Sequence, residues 1–416
     1  MSLLLREVLV GDRRRDILIQ GNRIASLDGG EAEEVVHCRG KAALPGLVNT
    51  HTHAAMTLLR GYAEDMELKA WLEKRIWPRE AKLTPEDIYV GTRLACLEMI
   101  RSGTTTFNDM YFHMDRAAAA VKEMGLRAVL SEGFIDIGRP DAGEVLLRRT
   151  EEVHRRIASL GCDRIRVAWG PHAPYTVSPE SLKAIAERAA AENALVHIHV
   201  SESKQEVEDC RKAKGMTPPA YLESLGLLSD RVVAAHGCWL TEEDAVLLAR
   251  RGVSVSHNPV SNMKLGSGRL DLPMLAYHGV NVCLGTDGAA SNNSLSMLES
   301  MKVAALLQKH AGGSPTVIDA RHALKLATRN GARALHLDAG ELAVGKLADL
   351  VLLDLKAVGM VPVHDVTANT VYSADPSAVT DVICDGRFLM RDRVVPGETE
   401  ILERAAAVAA DLIARE

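Results

Sequence analysis

The sequence is poor in aromatic residues, with four Phe, seven Tyr and four Trp among 416 positions. It has no apolar stretch of the roughly 18 residues that a membrane span needs, so no spanning helix is expected. Its opening run, MSLLLREVLV, is broken by Arg6 and Glu7, too early for the apolar region of a secretory signal. Positive charge is not in excess: 49 basic and 55 acidic residues leave a net charge of −6. No basic run stands out beyond Arg13-Arg14-Arg15, which excludes nucleic acid held by a charged face. Cysteine is sparse and scattered, at Cys38, Cys96, Cys162, Cys210, Cys238, Cys283 and Cys384, with no C-x-x-C pair. The odd, spread-out set argues against a disulfide framework and a cysteine zinc site, and a cytoplasmic, reducing setting is expected. G-x-S-x-G, the phosphate-loop pattern and the H-x-E with P-C-x-x-C pattern of cytidine-type deaminases are all missing.

What is present is ordinary globular material, 47% hydrophobic and 25% charged, with fifteen histidines. The middle of the chain alternates Val/Ile/Thr-rich runs with Ala/Leu/Glu/Lys/Arg-rich stretches, the mark of a parallel sheet with crossover helices. Eight strands are expected: Gly46–His53, Thr104–Asp109, Arg127–Glu132, Arg164–His172, Leu195–Glu202, Arg231–Cys238, Val253–Asn258 and Asn281–Asp287. Helices are expected between them, among them Pro85–Arg101, Pro179–Asn193 and Glu242–Arg251. The pattern predicts an α/β protein with a (β/α)8 TIM barrel over residues 46–340. Residues 1–45 and 341–416 read as a small composite β domain, a β-sandwich built from both termini. Its expected strands include Asp16–Gln20, Arg23–Leu27, Asp349–Leu355, Thr370–Ser373, Val379–Cys384 and Arg387–Met390, and a helix over Glu400–Arg415 closes the chain.

Each expected barrel strand ends on a polar residue: His51/His53, Asn108/Asp109, Glu132, His172, His199/Glu202, His236, His257/Asn258 and Asp287. Active sites of such barrels lie at this carboxyl-terminal face. In His51-Thr52-His53 the histidines are two apart on a strand end, so both can face one ion. His197-Ile198-His199 offers a third imidazole, and Glu202 stands where a proton shuttle would be useful. His236 and Asp287 complete a set in which three histidines and an aspartate hold a divalent metal with a place left for water. Taken alone, a histidine or aspartate at a strand end is more often a cap or turn residue. The fourth strand contains no lysine to bridge two metals, so one ion is expected.

Several segments resemble the amidohydrolase superfamily, in its adenosine-type deaminase and chlorohydrolase branch. These are Pro45–His53, His199-Val200-Ser201-Glu202, Ala235-His236-Gly237, Gly285-Thr286-Asp287-Gly288, and Gly340-Glu341-Leu342 with Gly345–Leu350. Within the branch, Trp71–Glu80 and Pro171–Tyr175 are similar to the 5-methylthioadenosine/S-adenosylhomocysteine deaminases and their 5'-deoxyadenosine-deaminating archaeal relatives. The resemblance implies one divalent ion on His51, His53, His199 and Asp287, zinc first, with Fe2+ and other divalent ions also suited. It implies attack by a metal-activated hydroxide on C6 of an adenosine-type nucleoside, giving the inosine analogue and ammonia. Glu202 would protonate ring N1, His236 would polarise or orient the hydroxide, and Asp287 would relay the proton to the leaving amine. Trp71 would lie against the purine, His172 would face it, and Glu80 would accept from both ribose hydroxyls. A homo-oligomer, tetramer or dimer, is also implied. Family members that take S-adenosylhomocysteine use arginine near the third-strand loop. Here Arg139 is a loose match, and Glu132 and Asp136 are expected to repel a carboxylate, favouring a small uncharged 5' group. The same metal core would also serve guanine, cytosine or triazine hydrolysis, and a silent scaffold barrel is the reading from a different class.

Overall fold

The structure, a computed structural model, describes residues 2–136 and 140–415. It contains two eight-stranded sheets. The first is mixed and is assembled from both ends of the chain. Its strands are β1 (Ser2–Val10), β2 (Arg13–Gln20), β3 (Arg23–Ser26), β4 (Glu34–His37), β5 (Lys41–Pro45), β14 (Leu350–Asp354), β15 (Val379–Cys384) and β16 (Arg387–Met390). Strand β5 joins the halves, pairing antiparallel with β14 and parallel with β1. Leu3, Leu5, Ile17, Ile19, Leu350, Leu352 and Ile383 share one apolar core there.

The second sheet is parallel and runs in chain order: β6 (Leu47–Thr52), β7 (Thr104–Tyr111), β8 (Arg127–Phe134), β9 (Ile165–Pro171), β10 (Leu195–Val200), β11 (Val232–His236), β12 (Ser254–His257) and β13 (Asn281–Leu284). All eight expected strands are present, and the sheet curls into a barrel. Hydrogen bonds from the Thr286 and Asp287 amides to the His51 carbonyl, 3.1 and 3.0 Å, join the last strand to the first. That closure places the aspartate beside the first histidine pair.

Two-sided burial explains the strand sequences. In β10, Val196, Ile198 and Val200 pack outward against the helices. Leu195 faces inward and joins Val48, Val129, Val233 and Cys283 in a plug near the amino-terminal end. His197 and His199 follow Leu195 on the inward side, one step and two steps up the barrel. The polar layer therefore begins where the apolar plug ends. Gly46, between β5 and β6, allows the two sheets to meet, since a Cβ there would lie 2.2 Å from Thr105 Oγ1.

Helices Pro85–Arg101 and Glu242–Arg251 have the expected bounds, and both start with a threonine capping box. One expected strand is not a strand. Thr370–Ser373 lies on or just after helix Val366–Tyr372, because Asp365 caps its first turn and Thr370 Oγ1 bonds back to the Val366 carbonyl. The β-branched content suggested a strand, but the cap and the burial of Thr370 and Val371 prevailed.

Candidate active site

The carboxyl-terminal ends of the barrel strands gather His51, His53, His199, His236, Glu202 and Asp287 into one cluster. His51 is fully buried, and its Nδ1 lies 2.8 Å from His197 Nε2. His53 Nδ1 meets the Met110 carbonyl and His199 Nδ1 meets the His172 carbonyl, each at 2.6 Å. A carbonyl oxygen can only accept, so both Nδ1 atoms carry protons. Burial and the neighbouring histidines hold His199 well below its ordinary pKa, so it is neutral. Its lone pair is on Nε2, 3.3 Å from His53 Nε2. At that separation the two ring nitrogens can share one cation.

The remaining geometry agrees. His51 Nε2 is buried without a hydrogen-bond partner. Asp287 Oδ1 lies 3.4 Å from the Nε2 atoms of both His51 and His53. The donor atoms of His51, His53 and His199 all fall within 4.8 Å of one another, as do those of His51, His236 and Asp287. Imidazole nitrogens with a carboxylate are a donor set suited to zinc and related divalent ions. The residues present therefore fit one metal ion, with His236 near it beside the expected four.

Asp287 is tightly held. Its Oδ2 accepts from Ser261 at 2.6 Å and Ser291 at 3.0 Å, and its Oδ1 from the Gly288 amide at 2.7 Å. Burial pushes its pKa up, but His51, His53 and His236 outweigh this and keep the carboxyl ionised. Glu202 behaves differently: burial pushes it upward and Asp287 adds to that, against His236 and the Ser267 hydroxyl. Two neighbouring acids with opposite shifts suit a proton donor and a proton acceptor. His236 Nε2 lies 3.7 Å from Glu202 Oε2, and the Asn262 amide donates to His236 Nδ1 at 2.8 Å. With Nδ1 accepting, Nε2–H points towards Glu202 and the cavity.

Ser201, His236 and Asp287, all at strand ends, have left-handed backbone, with φ of 52°, 77° and 65°. Such strain persists only where the surroundings enforce it, and it often marks functional positions. Gly285 fits the same crowding, since a Cβ there would lie 2.4 Å from Asn258 Oδ1 and 2.9 Å from His51 Cβ.

A cavity open to solvent leads away from this cluster. Its walls include Trp71, Trp77, Glu80, Tyr111, His172 and Tyr175. Trp71 is buried and donates Nε1–H to the Ala63 carbonyl at 3.1 Å. Trp77 lines the cavity half-exposed. Glu80 is raised in pKa by burial, against the Tyr111 hydroxyl and His53. His172 is lowered to about 4 by burial and by His53 and His236, so it is neutral, with Nδ1 2.9 Å from Thr176 Oγ1.

Other expected strand-end residues serve the backbone. Asn108 donates to the Thr50 carbonyl and Asp109 accepts from the Ala54 amide. Glu132 accepts from the His113 and Met114 amides, and Asp136 from Ser178. Both acids are engaged at helix starts, and neither is among the residues lining the cavity beside the cluster. Arg139 lies outside the described residues. The sequence reading gave His197 no role and did not identify Tyr111, Ser261, Ser291 or Asn262. His197 could have been recognised as the inward neighbour of His199, two positions back; the other four carried no motif.

The amidohydrolase family pattern matches residues 42–389. The chain belongs to the amidohydrolase family. Among similar amidohydrolases, a 5'-deoxyadenosine deaminase of Methanoregula boonei is 52% identical, covering all of this chain and 96% of its own. A 5-methylthioadenosine/S-adenosylhomocysteine deaminase of Thermococcus kodakarensis is 47% identical over 94% of both chains. Among solved structures, a zinc-bound adenosine deaminase from Xanthomonas campestris superposes with a TM-score of 0.94, at 36% identity over 99% of both chains.

Proposed function

We propose that this amidohydrolase deaminates adenosine-type nucleosides to the inosine analogue and ammonia. Its substrates on this reading are 5'-deoxyadenosine and 5'-methylthioadenosine, with adenosine and S-adenosylhomocysteine as further candidates. The observation that carries the reading is a single cavity holding both the histidine–aspartate cluster with Glu202 and, on its walls, Glu80 and Trp71. The relatives named for 5'-deoxyadenosine and methylthioadenosine deamination support it. The zinc-bound neighbour supports zinc as the ion.

His51, His53, His199 and Asp287 would hold the ion. A divalent metal there supplies Lewis acidity and brings the pKa of water towards neutrality. The chain's own groups do the rest. Asp287, ionised, accepts a proton from the water that adds at C6. His236 Nε2–H orients that water's oxygen. Glu202, whose pKa burial raises, delivers a proton to ring N1 as charge develops there. Asp287 then passes its proton to the amine, the C6–N bond breaks, ammonia leaves, and the C6 hydroxyl gives its proton back to Glu202 as the inosine-type carbonyl forms. Trp71 lies against the purine and neutral His172 faces it. Glu80 accepts from the two ribose hydroxyls.

The test is ammonia release from 5'-deoxyadenosine and methylthioadenosine beside free adenine. Turnover of the nucleosides and none of adenine is expected. Turnover of adenine, guanine, cytosine or a triazine in preference would overturn the substrate assignment. It would leave the metal site standing.

A further inference from the structure

Glu80 ends a continuous helical segment, Leu68–Glu80, anchored in the main core by Trp71 and Ile76. Between Leu68 and Glu80 the chain makes one α-turn (Leu68–Trp71), a wide π-turn (Leu72–Ile76) and a last α-turn (Trp77–Glu80). Such π insertions are uncommon and interrupt the regular ladder. Within the neighbourhood, the segment is tied by Trp71 to the Ala63 carbonyl and by Arg79 Nε to the Tyr62 hydroxyl at 3.0 Å.

Its other ties reach Arg415, just past the C-terminal helix Glu398–Ala414. The Arg415 carbonyl accepts from Arg79 Nη1 at 2.6 Å and from Lys82 Nζ at 2.9 Å. Its guanidinium donates to the Lys82 carbonyl at 2.8 Å and forks onto the Asp87 carboxylate. Asp87 belongs to the capping box of the long helix Pro85–Arg101, which packs in the main core. Arg415 therefore brackets Glu80 on both sides, through Arg79 and Lys82, and fastens the bracket to a fixed helix. It lines no wall of the cavity.

The bracket answers a physical need. Burial disfavours the Glu80 carboxylate, so a turn free to swing would carry it out towards water. Trp71 and Ile76 fix the segment further back in the core, and Arg415 is what ties its last turn.

We propose that Arg415 is a positioning residue that fixes Glu80 where its carboxylate meets the ribose diol, so that the C-terminal helix sets ribose selectivity. The proposal rests on Glu80 as the diol acceptor. The test compares kcat/KM for 5'-deoxyadenosine and for 2',5'-dideoxyadenosine, which lacks one of the two hydroxyls. The proteins are the unaltered chain and its Glu80→Gln, Arg415→Ala and Arg415→Lys variants. Arg415→Ala keeps the carbonyl that accepts from Arg79 and Lys82 but removes the guanidinium that anchors it to Lys82 and Asp87, so the preference for the intact diol should fall about tenfold, through KM and with kcat kept. Arg415→Lys, which keeps the charge and loses the fork, should retain part of the preference. Glu80→Gln should abolish it. If Arg415→Ala weakens both substrates equally while Glu80→Gln still abolishes the preference, Arg415 is merely structural and the proposal alone fails. If Glu80→Gln keeps the preference, the Glu80 reading fails and takes the proposal with it. Should Arg415→Ala not fold, Arg415→Lys decides: an unchanged preference overturns the proposal, and a partial loss through KM supports it.

Discussion

The floor and the roof of the cavity are built in opposite ways. On the floor, each group is fixed by short bonds from strand ends or from the loops just after them. His51, His53, His199 and His236 each have Nδ1 engaged, and Asp287 accepts from two hydroxyls and an amide. The roof is one helical segment, interrupted by a π stretch, that Trp71 and Ile76 anchor in the core and whose end is tied to Arg415. A rigid floor suits chemistry, where about 1 Å of misplacement can cost 10²-fold. The roof, which brings Trp71 and Glu80 to the cavity wall, suits recognition. Substitutions in the floor should therefore appear in kcat or in metal affinity, and those in the roof in KM.

The largest expected effect is on the floor. Glu202→Gln keeps shape and removes the proton. We expect kcat to fall on the order of 10³-fold with KM and metal content unchanged. Steady-state ammonia release together with metal analysis checks this, and full activity in the variant would remove Glu202 from the chemistry.

The next tests how the floor holds its ion. His51 Nδ1–H has an imidazole as its outer partner, where His53 and His199 have carbonyls. Burial and the surrounding histidines push His197 well below its ordinary pKa, so it is neutral and able to accept. His197→Phe should weaken metal affinity about 10–100-fold in a chelator competition. His197→Gln, which places an amide oxygen near Nε2, should restore most of it. Equal affinity in both variants would show that His51 needs no outer partner.

A smaller effect is expected at Ser261. Its hydroxyl and that of Ser291 hold Asp287 Oδ2. Removing one charge-assisted bond costs about 1.5–3 kcal/mol, so Ser261→Ala should lower kcat roughly tenfold or somewhat more, with little change in KM. A change confined to KM would put Ser261 with the roof and blur the division.

Most of the floor could be read from sequence because barrel strands alternate with a fixed period and end at one face. That rule succeeded at His197 and His199, which follow Leu195 inward along β10. It would have failed at β6 if applied literally. Val48 faces inward, so simple alternation would turn Thr50 inward and His51 outward. Register shifts between Leu47 and Val48 and between Asn49 and Thr52 bring His51 in as well, beside a Thr50 that still reaches Ser256. The motif identified His51; the period alone would have missed it. Thr370 misled for the opposite reason, since β-branching pointed to a strand while Asp365 capped a helix. The roof was legible only through resemblance. Its side chains are placed by contacts such as Arg79 with Arg415, far apart in sequence and marked by no periodicity.

The smallest predicted effect concerns that contact and depends on pH. Burial raises the Asp87 carboxyl, but the bonds from Arg415 and Thr84 outweigh it and hold its pKa below the ordinary value. A carboxyl depressed in the folded state stabilises the fold fully above its unfolded pKa, about 4, and loses that contribution as pH falls through the folded value. The Tm difference between the unaltered protein and Arg415→Ala should therefore be steady from about pH 8 to about pH 5. Below about pH 4 it should shrink, because protonated Asp87 no longer rewards the guanidinium. Partial exposure of Arg415 keeps the gap to a few degrees at most. Ser261→Ala, on the floor, loses a bond to the Asp287 carboxylate, which is held well below its ordinary pKa, so its Tm difference should persist further into acid than that of Arg415→Ala. A gap in Arg415→Ala that persists undiminished to about pH 3 would mean that Arg415 acts through its bond to the Lys82 carbonyl. The roof would then be held by that backbone contact, with the ion pair contributing little.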